Sequence, residues 1–224
     1  MDKDSGRIFV IFYQATNYPY GGAVQFQLGG AAIDSAITQE AVSSFSASNW
    51  NSSGSERRFN RCIAFNNTCF FTTTSGNHEG NYAWDDYVCL SKITSTGSVS
   101  SGISRQGYYN GLYTNGTDLY VEYEDDASTS SYPTRYYEYI FKYPNGDLSN
   151  SIELWNDTYY SDDKWDVEMY IPHADKFILE NREKNSDSWN VSYYSVSNSG
   201  TRTSLSTGGN IITIIGTSEN YMII

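Results

Sequence analysis

Two consecutive hairpins, written several times over, constrain this chain more than any other feature of its sequence. The segments CIAFNNTCFFTTT, GLYTNGTDLYVEYE, MYIPHADKFILEN and TIIGTSENYMII each place a polar turn between two short apolar runs. A second hairpin follows the first three of them: YVCLSKITSTGSVSS, YIFKYPNGDLSNS and VSYYSVSNSGTRTS. Near the N-terminus AVQFQLGGAAIDS matches that second hairpin, and RIFVIFYQ before it matches the second strand of the first. Gly30, Gly97, Gly146 and Gly200 mark the outer turn, at separations of 67, 49 and 54 residues. Two hairpins in succession make a four-stranded antiparallel meander, and tandem copies make a repeat protein.

Composition agrees with strands. Ser, Thr, Asn and Tyr number 31, 18, 19 and 21, while the residues that favour helix are scarce. The one ambiguous stretch, from Ala31 to Phe45, reads as readily as a short helix as a strand. With 16% aromatic and 39% hydrophobic residues the chain carries the apolar area of a folded domain. The 224 residues allow one large all-β domain or two small ones.

The pattern of strand, Asn-Gly or Gly-Asp turn, strand, loop, strand, x-x-Gly, strand in GLYTNGTDLYVEYE…YEYIFKYPNGDLSNS resembles a blade of the β-propeller superfamily. The resemblance is architectural, since no WD dipeptide in its usual place, kelch double glycine or Asp-box accompanies it. It implies an all-β propeller, or a propeller segment, of four-stranded antiparallel blades within one repeat domain, 1–224. The blades fall at 56–105, 106–160 and 161–207, with incomplete units at 1–55 and 208–224. Labelled A to D outward, the chain reads B-C-D, three full units, then A-B. Ile211–Ile215 would supply strand A to the first unit, leaving Tyr221–Ile224 as a surplus strand B. A β-sandwich is the alternative fold.

A net charge of -12 gives no source for counterion-release binding to nucleic acid and repels anionic lipid. No apolar run approaches the roughly 20 residues of a membrane helix, so no membrane insertion is expected. The N-terminal MDKDSG lacks the apolar stretch of a signal peptide. Cys62, Cys69 and Cys89 suit buried thiols in strands better than a disulfide framework, with a Cys62–Cys69 bridge as the other reading. Sequons stand at Asn51, Asn66, Asn115, Asn156 and Asn190, about as many as this composition produces by chance.

Candidate sites are weighed against ordinary packing and solvation. The inner turn IPHAD holds His173 and Asp175, where propeller ligands would converge on the axis; the competing reading is a solvated polar turn. His78 and Glu79 lie in a loop between strands. The carboxylates Asp85 with Asp86, Asp125 with Asp126, and Asp162 with Asp163 suit calcium, which takes about six to eight oxygens, yet none sits in an Asp-x-Asp-x-Asp-Gly loop. Trp84, Trp155, Trp165 and Trp189 could stack on a sugar or fill the wedge between blades. No catalytic serine elbow or phosphate-binding loop is present. These features lead us to expect a non-catalytic binding or structural protein, extracellular, on a cell surface or on a virion, that contacts a protein partner or its own copies. A glycan-binding lectin-like module is the alternative, and a carbohydrate-active enzyme or fragment using two carboxylates the second alternative.

Overall fold

The computed structural model describes residues 2, 7–15, 24–32, 38–46, 56–76, 87–96, 99–126, 135–160, 163–185, 188–205, 216–217 and 222–223. Among them every sheet is antiparallel and strands join chain neighbours. A first sheet joins β1 (Arg7–Ala15), β2 (Val24–Ala32) and β3 (Thr38–Ser46). The second is β4 (Glu56–Phe65), β5 (Thr68–Gly76), β6 (Tyr87–Thr94) and β7 (Val99–Gln106). The third is β8 (Tyr108–Thr114), β9 (Leu119–Asp126), β10 (Arg135–Tyr143) and β11 (Ile152–Tyr160). The fourth is β12 (Asp163–Ile171), β13 (Lys176–Asn185), β14 (Ser188–Ser197) and β15 (Arg202–Leu205). Two short strands, β16 (Gly216–Thr217) and β17 (Met222–Ile223), pair with each other. No helix among the described residues is long and apolar enough to cross a membrane.

Turn chemistry explains the hairpins. Asn66 and Asn67 have φ of 50° and 58°, the two positive values that a two-residue hairpin turn needs to match strand twist. The Asn115 Oδ1 accepts the backbone N–H of Thr117 and of Asp118, closing the β8–β9 turn at 3.0 and 2.9 Å. Short 3-10 turns that open on Pro144 and Pro172 make the β10–β11 and β12–β13 corners. Gly146 and Gly200 do sit in outer turns, at φ of 66° and 81°, whereas Gly97 lies outside the described residues.

Gly30 corrects the sequence reading. It lies inside β2, opposite Phe9 on one side and Ala41 on the other, so the chain reverses after Ala32. A register shift between Gly30 and Ala31 marks a bulge, the other role of a strand glycine. The ambiguous stretch is strand β3 from Thr38 onward. Ile211–Ile215 lies outside the described residues.

The sheets meet face to face in chain order. One cluster interleaves Phe65, Phe70 and Leu90 of the second sheet with Leu119, Val121, Tyr123 and Phe141 of the third. Another joins Tyr120, Ile140 and Trp155 of the third to Trp165, Phe177 and Val196 of the fourth. Along β9 the odd positions face one neighbour and Tyr120 the other, the period of two expected of a strand covered on both faces.

Candidate functional site

The seam between the third and fourth sheets gathers the polar groups of most chemical interest. Asp175 follows the Pro172 turn in the left-handed conformation, at φ 46°. This aims its carboxylate across the seam. Its Oδ1 accepts the Asn115 amide at 2.7 Å, the Tyr170 hydroxyl at 3.0 Å and the Tyr120 hydroxyl at 3.2 Å. Its Oδ2 accepts the Asn198 amide at 3.4 Å. Lys142 extends the network, donating to Asn198 Oδ1 at 3.2 Å and pairing with Asp118 at 2.7 Å. Burial pushes the Asp118 carboxyl up, but the hydrogen bonds from Lys142 and the Asn145 N–H outweigh it and hold the group below its usual range. Burial pushes the Tyr120 hydroxyl up to about 12.

Further along the same seam three glutamates point inward from β9 and β10. Glu122 is 3% exposed and Glu138 is 1% exposed. Glu122 accepts the Tyr113 hydroxyl at 2.9 Å and, from the facing sheet, the Val167 N–H at 3.2 Å. Asn110, the extra residue of a bulge in β8, donates to Glu124 at 3.3 Å and to Glu138 at 3.5 Å. Glu138 lies directly opposite Glu124, and among the described residues its Oε2 has no hydrogen-bond partner. Burial raises the Glu122 carboxyl to about 7 against the opposing hydrogen bonds from Val167 and Tyr113. Glu138 is driven well above the usual carboxylate range by burial first, then by the charges of Glu122 and Glu124. A proton on one of these groups relieves the repulsion.

The residues singled out in the sequence are distributed unevenly. Trp155 and Trp165 meet edge to face at 5.3 Å, both 6% exposed, in the wall between the third and fourth sheets. Trp189 stands on β14 at 53% exposure. Asp125 is half-buried in β9, opposite Tyr137, and Asp163 opens β12 opposite Glu183. Asp126 ends β9 and His173 lies in the Pro172 turn, with their side chains outside the described set. Trp84, Asp85, Asp86 and Asp162, like His78 and Glu79, also lie outside the described residues. Among the described residues no three His, Cys, Asp or Glu side chains are grouped so as to hold a metal. Glu122 and Glu138 were not among the residues singled out. Their signal was acids at alternate positions of otherwise apolar and aromatic strands.

No protein-family model matches the chain, and no curated protein matches it in sequence. Among solved structures it is similar to a puromycin hydrolase mutant complexed with PGG, at 10% identity and a TM-score of 0.45, over 86% of this chain. The chain spans 30% of the length of that protein.

Proposed function

We propose that the chain is a propeller-type array of four-stranded blades acting as a non-catalytic, extracellular or surface binding scaffold that contacts a protein partner or its own copies. One observation carries the reading: Asp175, Trp155 and Trp165 are used between sheets, while Trp189, Val191 and Ile152 stand exposed on β14 and β11. Asp175 accepts four side-chain donors, and Trp155 and Trp165 pack on each other. Trp189, Val191 and Ile152 by contrast are 53%, 45% and 45% exposed. Trp189 and Val191 share one face of β14, giving a rigid aromatic anchor of the kind that concentrates binding energy.

Light scattering coupled to size exclusion over a hundredfold concentration range tests self-association. Mass should rise with concentration, and the Trp189→Ser and Val191→Ser double variant should remain monomeric. A wild-type chain that stays monomeric throughout overturns the self-association reading. The glycan alternative draws on Trp189, because an exposed indole offers a flat apolar face on which a sugar can stack. A glycan array with the wild type and the same double variant decides it; binding unaffected by the variant excludes this surface.

A further inference from the structure

In the β4–β5 hairpin Cys62 lies opposite Phe71 and Ala64 opposite Cys69. Strand alternation therefore puts both cysteines on one face, on the diagonal between adjacent residue pairs. Their surroundings differ. Cys62 is exposed, whereas Cys69 is 1% exposed and packs with Phe71, Ile93 and Phe9 of the first sheet. Both carry free thiols, and the Cys69 S–H donates to the Phe70 carbonyl at 3.8 Å. The neighbouring Cys69 side chain is the main influence lowering the Cys62 thiol to about 6, against opposing burial. The same neighbour, then burial, pushes Cys69 up. An accessible sulfur beside a buried thiol on one strand face is the arrangement of an attacking and a resolving cysteine.

We propose that Cys62 and Cys69 form a redox site that takes a peroxide as its oxidant. The Cys62 thiolate attacks one peroxide oxygen, the O–O bond breaks, and the sulfur becomes a sulfenic acid as hydroxide or alkoxide leaves. The Cys69 sulfur then displaces the sulfenic oxygen as water, its own proton completing that water, and an S–S bond closes the hairpin. Two electrons pass from the two sulfurs to the peroxide. Diagonal cross-strand neighbours have Cα atoms about 7–8 Å apart, so closing the bridge draws the strands together. The register shift between Phe59 and Arg61 places an irregularity in β4 immediately before Cys62. Cys89, on β6 and held by Ser91, is the internal reference.

The test treats the intact chain with one equivalent of hydrogen peroxide near neutral pH, then alkylates it under denaturing conditions and maps its peptides. A Cys62–Cys69 disulfide should form, Cys89 should remain alkylatable, and Cys62 should react about tenfold or more faster than Cys89. In Cys69→Ala the Cys62 sulfenic acid should persist and be trapped by dimedone. Cys62→Ser, a change at an exposed position, should abolish oxidation at Cys69. The proposal is overturned if wild-type Cys62 ends as sulfenic or sulfinic acid with Cys69 still reduced. It is equally overturned if Cys62 reacts no faster than Cys89.

Discussion

Asp175 shows how much one side chain can hold when the backbone aims it. It satisfies two tyrosine hydroxyls and two amides from four other strands or turns. Asp175→Ala leaves those donors facing each other and should cost about 2–4 kcal/mol, read by urea denaturation, since each donor stranded in a seam costs about 1–3 kcal/mol. Asp175→Asn keeps the left-handed turn and part of the network, so its loss should be smaller. Glu122 and Glu138 predict a dependence of the opposite kind. Their folded carboxyls lie above the unfolded value of about 4.5, so protonation favours the native state. Stability is therefore full below pH ~4.5 and falls as pH rises through about 7, on the order of 3 kcal/mol for Glu122 alone. Asp166 and Glu124 steepen this fall, while Arg61 moderates it at Glu122. Glu138→Gln should flatten the fall in melting temperature between pH 5 and 8, measured by circular dichroism; an unchanged slope would exclude Glu138 as the proton holder.

At the scale of the element, turn glycines and bulges set the hairpins. Gly146 closes the β10–β11 corner, and a Cβ there would stand 2.4 Å from Phe70 Cζ in the second sheet. At its φ of 66° any L side chain is also disfavoured. Gly146→Ala should destabilise by about 2–4 kcal/mol in thermal or urea melts. Gly200→Ala meets the Leu154 carbonyl at 2.3 Å and should act in the same way. These two glycines were legible because a turn is a local event, set by a few neighbouring residues. Gly30 was misread for an equally physical reason. A Gly-Gly pair has the same letters in a turn and in a strand interior, and only pairing with Phe9 and Ala41 puts Gly30 in the latter. The stretch ending at Phe45 likewise became strand because β2 was there to pair with it, whatever its own helix propensity.

The whole molecule is held by sheet-to-sheet seams rather than by any single sheet. Phe177 is fully buried against Tyr113, Tyr120 and Tyr170, with ring centroids 4.6 to 5.5 Å away. Phe177→Ala should cost about 3–5 kcal/mol, measured by urea denaturation, and should alter the near-ultraviolet signal of the tyrosines in that seam. A much smaller cost would mean that the third and fourth sheets are not held by this cluster. Most hairpins, and the outer turns at Gly146 and Gly200, were readable from the chain alone, because alternation and turn chemistry act between chain neighbours. The tertiary structure alone decided which face of each strand meets the next sheet. That choice buries Glu122 and Glu138, engages Asp175 and places Cys69 in an apolar seam beneath Phe9, since burial and charge depend on groups far apart in the chain.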